Sequence, residues 1–361
     1  MREPSLIWPR VEQLVEHAPS DDDLCAHRLE LVAARRLRAA AADVPARLRD
    51  AERVAALTSL AAPVVLRRAR AAYDGSMVLM KGPEIAARYP DPSLRPYCDV
   101  DLLVDDAPAA HRALLDAGFQ HAGPWSDEVE LHHLWPLWWP GLPIGIELHS
   151  AAHWPDALPA PPTDELLTCA VPSRCAPGVV DTLPAAQHAL VAAAHAWAHA
   201  PLACVGQLVD VALLAADADD REIEALACRW GCERLWRTTR AAIEALLLDA
   251  RPRTPALRLW ARHLIATRER TLLERHVEEL SSPLWALPAR RAAGASARVL
   301  GRLLRPTGGE TWRHKGARAR RALGHARLRH SEHDARLPPA DRRVGAPRLR
   351  AAPKRDVRCR P

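Results

Sequence analysis

The stretch Cys98–Val104, with the sequence CDVDLLV, decides the fold of this chain. Apolar residues alternate in it with Asp99 and Asp101, and this period of two predicts a β-strand with one apolar face. The two carboxylates therefore leave the same face, about 7 Å apart along the strand. Such a pair is stable when one carboxyl keeps its proton, when a base pairs with both, or when a divalent cation neutralises them.

A short apolar run, Met77–Met80, precedes this strand and ends in Lys81 and Gly82. Proline follows at position 83, which suits the first turn of a helix that we expect to continue through Tyr89. The predicted order is strand, tight turn, helix. Backbone N–H groups at a helix start, together with an ammonium group, favour phosphate. Lys81 and Gly82 are therefore candidate phosphate-binding residues.

The segments after Val104 continue the same alternation of strands and helices. Asp105–Pro108 predicts the start of a helix that ends at Gly118. The aromatic-rich segment Glu128–Trp139 predicts another strand, although Pro136 interrupts it and Pro140 follows it directly. Residues Pro143–His149 alternate again, with Gly145, Glu147 and His149 on the face opposite to the apolar one.

Glu147 supplies a third carboxylate, so the predicted metal-ligating and catalytic set is Asp99, Asp101 and Glu147. Three oxygen ligands favour Mg²⁺ over zinc. His149 shares the face of Glu147, and we expect it to orient that carboxylate or to contact a substrate.

The whole chain has 361 residues, 48% of them hydrophobic, which is enough for a substantial core and more than one folded region. We predict the α+β class, with a small mixed β-sheet flanked by helices. The predicted parts are an N-terminal helical region (1–72), an α/β core (73–160), a C-terminal helical region (161–289) and an arginine-rich tail (290–361). Few large apolar residues and no sustained period occur in the tail, so we expect most of it to be disordered.

The charge is divided unevenly along the chain. Residues 290–361 contain 21 basic and 5 acidic residues, whereas residues 1–289 contain 29 basic and 39 acidic ones. The folded part is therefore acidic, near −10, and the tail is basic, near +16. Two interpretations of the tail stand side by side: weak contact with nucleic acid through phosphate neutralisation, or a solvated extension.

The N-terminus has no secretory pattern, and no segment offers about 18 uninterrupted apolar residues, so we expect no membrane association. The eight cysteines form no CxxC motif, which favours reduced thiols. These features predict a cytoplasmic protein.

Several motifs together resemble one known family. Their order and spacing from residue 77 to 150 are similar to those of the uncharacterised nucleotidyltransferase family within the polymerase-beta-type superfamily, and a looser likeness continues from His188 to Leu214 through His195 and Asp210. The strings that carry the resemblance are Leu79–Gly82, Tyr89–Asp91, Leu94–Pro96, Cys98–Val104, Leu114–Phe119 and Ile146–His149.

The resemblance implies Mg²⁺ or Mn²⁺ held by Asp99, Asp101 and Glu147, and an NTP, for example ATP, as donor substrate. A nucleoside monophosphate would pass to a hydroxyl group of a small molecule, a peptide or a protein, with release of pyrophosphate. Most of the superfamily has Gly-Ser where this chain has Lys81 and Gly82. That departure keeps phosphate binding but leaves the donor nucleotide open.

Two roles stand for Arg95: it neutralises phosphate together with Lys81, or it pins its own loop to a carboxylate. Two further functions also stand as alternatives. One is transfer to RNA, as in a tRNA-modifying or toxin-like enzyme, and the other is nucleotide binding without turnover. For His195 and Asp210, which lie on apolar helices, we favour a buried polar pair over catalysis.

Overall fold

The protein is described by a computed structural model that covers residues 4–121, 134–199, 201–248, 272–306, 311–321 and 323–324. In chain order the elements are α1 (Trp8–Glu16), α2 (Asp21–Ala26), α3 (Glu30–Ala39), α4 (Ala46–Ala72), β1 (Met77–Leu79), α5 (Pro83–Ala86), β2 (Asp99–Val104), α6 (Ala107–Asp116), β3 (Gln120–His121), β4 (Leu137–Trp138), β5 (Gly145–His149), α7 (Thr163–Thr168), β6 (Val171–Pro172), β7 (Asp181–Thr182), α8 (Ala185–His199), α9 (Val205–Ala216), α10 (Asp220–Arg229), α11 (Glu233–Leu247), α12 (Leu272–Ala286) and α13 (Ala289–Leu304).

The described strands form one mixed sheet in the order β3-β4-β5-β2-β1-β7-β6. The central strand β2 runs parallel to β5 and antiparallel to β1. In the register of β2 and β5, Asp101 lies opposite Glu147. The predicted α+β class, with a small mixed sheet among helices, is confirmed, and its two carboxylate-bearing strands are neighbours.

The back face of the sheet packs against the C-terminal half of α4 and against α6. Val100, Leu102 and Val104 point to this side, and none of them is exposed to solvent. Burial of each such side chain contributes about 1.5–3 kcal/mol. The alternation in β2 therefore fixes one face in the core and turns both aspartates to the opposite face.

The front face packs against a second apolar core. Helices that precede the strands in the sequence and helices that follow them both contribute to this core. Leu103 and Met80 of the sheet pack there with residues of α1, α3, α8, α9 and α11. The N-terminal and C-terminal helical regions therefore form one layer over the face that carries the carboxylates. A site at this face is walled by the sheet on one side and by helices on the other.

Three predicted strands and one helix are confirmed close to their expected limits: β1, β2, β5 and α6. The backbone N–H of Ala109 donates to the Asp106 side chain, which caps α6 as expected from Asp105–Pro108. The segment 128–139 contributes β4 at Leu137–Trp138, and residues 122–133 lie outside the described part of the chain.

The helix expected from Pro83 through Tyr89 is shorter and ends at Ala86. The N–H groups of Arg88 and Tyr89 donate to carbonyl groups three residues earlier, a tighter turn than the α-helix. Proline at position 90 disfavours helical geometry in the residue before it. The prediction was therefore wrong at its C-terminal end, and α5 is a single turn.

The region predicted as helical from 161 to 289, with a less regular patch around Pro172–Pro184, adds β6 and β7 to the sheet. These strands have two residues each, too short to show a period, and β7 pairs with β1 in parallel. The sheet therefore extends beyond the predicted core of 73–160.

Part of the region expected to be mostly disordered is helical, because Ala289–Leu304 forms α13. Ala292 and Ala295 are buried, and the Ser296 hydroxyl donates to the Leu280 carbonyl of α12. Small alanines allow this close helix packing, whereas the prediction looked for large apolar residues. Within the described residues, no helix is both long and apolar enough to cross a membrane.

Candidate functional site

Asp101 is the residue on which the contacts of the site converge. Its side chain is completely buried, and its Oδ1 lies 2.8 Å from the Lys81 ammonium and 3.1 Å from His149 Nε2. Burial alone would raise the pKa of Asp101, but the charge of Lys81 and the hydrogen bond from His149 outweigh it and hold that pKa well below its usual range. Asp101 is therefore a buried, ionised carboxylate.

Asp101, Glu147 and His149 bring one ligand atom each within 4.8 Å of one another, close enough to hold a metal ion. His149 Nε2 lies 3.7 Å from Glu147 Oε2. Among the described residues, Asp101 Oδ2 is buried without a hydrogen-bond partner. An unsatisfied carboxylate oxygen inside a cluster of ligand atoms is what a cation would satisfy, so the residues present fit a divalent metal.

This cluster differs in one member from the predicted set. Asp99 leaves the same face of β2 as Asp101 but is not one of the three clustered residues, and His149 takes the third place. Burial, and then the negative charge of Asp101, raise the pKa of Asp99. Asp99 lines the cavity beside the cluster. Its role as a metal ligand stays a prediction.

Lys81 joins the sheet to the helical layer. Its Nζ lies 3.0 Å from His195 Nε2 on α8, in addition to its ion pair with Asp101. Burial, and then the nearby charge of Lys81, lower the pKa of His195 well below its usual value. A neutral imidazole can accept a hydrogen bond from the ammonium group. His195 therefore pairs with Lys81, and the interpretation of His195 and Asp210 as one polar pair was wrong.

Gly82 has a steric role in the site. Its φ is +62°, and a Cβ at this position would lie 2.9 Å from the Asp99 carbonyl oxygen. Only glycine accepts this conformation and this approach without strain. The close contact places the turn after β1 directly against β2. Phosphate binding at Gly82 stays a prediction, and α5 is too short to contribute much of a helix dipole.

Arg95 forms the loop-pinning contacts of one of its two expected roles, and its phosphate role stays a prediction. Its Nε and Nη2 donate to the two carboxylate oxygens of Asp210 at 2.8 and 2.9 Å, and its Nη1 donates to the Gly82 carbonyl. The side chain is buried. Tyr89 also donates to Asp210, at 2.7 Å. Because its donors are engaged, Arg95 pins the loop between α5 and β2 to helix α9.

A cavity of about 570 Å³, counted to its open mouth, separates the front of the sheet from the helical layer. The wall includes Lys81, Asp99, His195, Gln207 and, from the loop between α2 and α3, Arg28. Arg28 is not among the site residues predicted from the sequence, because a lone arginine between two short helices carries no motif.

The comparisons with known proteins complete these observations. No curated protein and no solved structure matches the chain. A family model described as uncharacterised nucleotidyltransferase matches residues 24–248, more than half of the chain, and its range includes the carboxylates, the lysine, the cavity and the covering helices α8 and α9. The chain belongs to this family of uncharacterised nucleotidyltransferases.

Proposed function

We propose that the protein is a metal-dependent nucleotidyltransferase that moves a nucleoside monophosphate from an NTP to a hydroxyl group and releases pyrophosphate. The observation that carries the proposal is the cluster of Asp101, Glu147 and His149 beside the Lys81 ammonium, next to an open cavity, in a chain of this family. Carboxylates for a cation and an ammonium for phosphate are the two charge types that nucleotidyl transfer needs.

Asp101 and Glu147 would hold Mg²⁺ or Mn²⁺ through carboxylate oxygens, and His149 through a ring nitrogen. A bound divalent ion at this position supplies positive charge for the triphosphate and acidifies an acceptor hydroxyl. Because a ligating imidazole nitrogen must be unprotonated, His149 would carry its proton on the other nitrogen in the loaded protein. Asp99, at the cavity wall, is the candidate for a further carboxylate ligand.

The transfer step follows from these positions. The acceptor oxygen attacks the α-phosphorus, a new oxygen–phosphorus bond forms, and the bond from the α-phosphorus to the bridging oxygen breaks. Pyrophosphate leaves with that bond's electron pair. The proton of the acceptor hydroxyl passes to Glu147, whose side chain is 24% exposed and thus reachable. The Lys81 ammonium lies where it can neutralise the charge of the phosphates.

The acceptor is proposed to be a small molecule, a peptide or a protein side chain rather than a polynucleotide. Residues 1–289, which contain the site, carry a net charge near −10. A negative surface of this kind opposes the approach of a phosphate backbone.

The test is transfer of label from each α-³²P-labelled NTP, with Mg²⁺ or Mn²⁺, to acceptor pools of small molecules, peptides and proteins, or RNA. Wild type is compared with Asp101→Asn and with the control Asp105→Asn, which alters a carboxylate paired with Tyr73 away from the cavity. We expect transfer by wild type and by the control, and a loss of about 100-fold or more in Asp101→Asn.

Transfer that Asp101→Asn leaves unchanged would overturn the catalytic assignment. Label that enters only RNA would favour the RNA-directed alternative. NTP binding without transfer to any pool would favour a binding protein.

A further inference from the structure

Arg28 is the residue of the N-terminal helical region that reaches the cavity. It lies between α2 and α3, outside the sheet, and its exposed side chain lines the same cavity as Lys81 and Asp99. Arg28 therefore brings a positive charge to the cavity wall that also carries Asp99.

The backbone at Arg28 is held in a conformation that residues with a Cβ disfavour. Its φ is +56°, in the left-handed region. The neighbouring residue His27 accepts hydrogen bonds from the first turn of α9, at its carbonyl from the Gly206 N–H (2.9 Å) and at Nδ1 from the Val205 N–H (3.3 Å). Glycine at position 206 permits this contact, because a Cβ there would lie 2.9 Å from the Arg28 Cβ. Helix α9 thus fixes the loop with Arg28 at the cavity mouth.

Arg28 also differs in its side-chain contacts from Arg95, the other arginine of the cavity wall. Arg95 uses its donors on Asp210 and on the Gly82 carbonyl. Arg28 forms no ion pair within the part of the chain that the structure describes. An exposed arginine in a strained, anchored loop, with its charge directed into a cavity, has the features of an anion-binding group.

We propose that Arg28 binds the polyphosphate chain of the donor nucleotide, opposite Lys81. The cavity wall then has two positive groups that hold phosphate oxygens, and the carboxylates of Asp101 and Glu147, which would hold a cation, lie beside it through the ion pair of Lys81 with Asp101. A planar guanidinium can contact two phosphate oxygens at once, so this site would select a triphosphate over a monophosphate. The substrate class rests on the proposed function, whereas the anion site rests on the geometry of Arg28 itself.

The test is binding of inorganic tripolyphosphate to the full chain, measured by calorimetry with and without Mg²⁺. An NTP analogue with a methylene group between the α- and β-phosphorus atoms serves as second probe. The variants are Arg28→Gln, Arg28→Lys and Arg28→Gly, and the matched control is Arg35→Gln, which removes an exposed arginine of α3 paired with Asp91. Thermal unfolding of each variant verifies its fold.

We expect Arg28→Gln to weaken tripolyphosphate binding by about 10- to 100-fold. Arg28→Lys should be intermediate, because it keeps the charge and loses the fork of donors. Arg28→Gly should bind as poorly as Arg28→Gln yet be at least as stable as wild type, because glycine accepts the left-handed backbone. Arg35→Gln should bind like wild type.

Equal binding by wild type and Arg28→Gln would overturn the inference, and so would wild type that binds neither probe. The proposed function can fail separately. If tripolyphosphate binding depends on Arg28 but no nucleotide is transferred, the anion site stands without the enzyme. If transfer occurs and Arg28→Gln leaves both binding and transfer unchanged, the enzyme stands without this site.

Discussion

Lys81 brings a positive charge into a site whose other polar groups fit a cation. Its ammonium lies 2.8 Å from Asp101 Oδ1 and 3.0 Å from His195 Nε2. Without a bound ion it neutralises the buried carboxylate, which would otherwise be costly. With a divalent ion present, Asp101 has a second source of positive charge, and the Lys81 ammonium can then bind phosphate.

Replacement of this lysine should therefore have opposite effects on the two ligands. In Lys81→Met we expect tighter binding of Mn²⁺ than in wild type, because a competing cation is gone. We expect the NTP analogue to bind about 10-fold more weakly or worse, because its phosphates lose a positive partner. Paramagnetic titration with Mn²⁺ and calorimetry with the analogue measure the two effects. Weaker binding of Mn²⁺ by Lys81→Met would contradict this role.

Glu30, the first residue of α3, gives the stability of the fold a pH dependence. It is 9% exposed, and burial raises its pKa to about 7. The folded state then holds the proton more firmly than the unfolded state, whose pKa is near 4.5. Stability from this group is complete below about pH 4.5 and is lost as the pH rises through 7, by about 3 kcal/mol at most.

Glu30→Gln should remove this dependence. Because the amide carries no charge at any pH, the variant should resemble wild type at pH 5 and unfold at a higher temperature than wild type at pH 8. Thermal unfolding across this range measures the difference, with Glu16→Gln, an exposed carboxylate paired with Arg36, as control. A variant less stable than wild type at pH 8 would refute the assignment.

At the scale of elements, the buried pair of Arg95 and Asp210 connects the sheet with helix α9. The guanidinium contacts both oxygens of Asp210 and also the carbonyl of Gly82, so one side chain joins the loop before β2, the turn after β1 and the helix. This network holds the turn after β1, which contains Gly82 and follows Lys81, against helix α9. It acts on the site through the backbone rather than through a substrate.

Arg95→Met should therefore destabilise the fold rather than selectively weaken phosphate binding. Removal of one partner leaves a buried carboxylate without its counterion, at a cost of about 3–5 kcal/mol. Arg95→Met combined with Asp210→Asn should recover part of that loss, since the charge left behind is gone. Denaturant unfolding measures both. If Arg95→Met keeps wild-type stability and loses only NTP binding, Arg95 has the phosphate role instead.

The elements also show how far the sequence could predict the site. The alternation of apolar and polar residues in Cys98–Val104 and Pro143–His149 was sufficient to predict two strands. It also predicted the face on which their carboxylates lie, because alternate side chains of a strand point to opposite faces. Pairing of β2 with β5 then brought Asp101 beside Glu147. The contact of Lys81 with His195, 114 residues apart, depends on how α8 packs over the sheet, which no local pattern encodes. The position of Arg28 at the cavity also depends on the packing of distant segments, here of its loop against α9.

At the scale of the molecule, the site lies between a sheet and a helical layer made from both ends of the folded chain. The front core contains residues from α1 to α3 together with α8 to α11, and its last member along the described chain is Ala295. Trp312 and Leu323, further on, are 68% and 45% exposed. Among the described residues, the core that supports the site therefore ends before residue 307.

Deletion of residues 307–361 should leave both fold and transfer intact. The deletion removes 16 basic and 5 acidic residues, and we expect a change in Tm of less than about 2 °C. Any weak RNA binding of the full chain at low salt should disappear with it. Thermal unfolding and RNA binding at two salt concentrations measure these effects. Loss of nucleotide transfer in the shortened chain would favour the RNA-directed alternative.

The central claim is that Asp101, with Glu147 and His149, holds the divalent ion of a nucleotidyltransferase. Paramagnetic titration of Mn²⁺ into wild type, Asp101→Asn and the control Asp105→Asn tests it most directly. We expect one site in wild type and in the control, and binding weakened about 100-fold or abolished in Asp101→Asn, with an unchanged Tm for the control. Equal Mn²⁺ binding by wild type and Asp101→Asn would contradict the account.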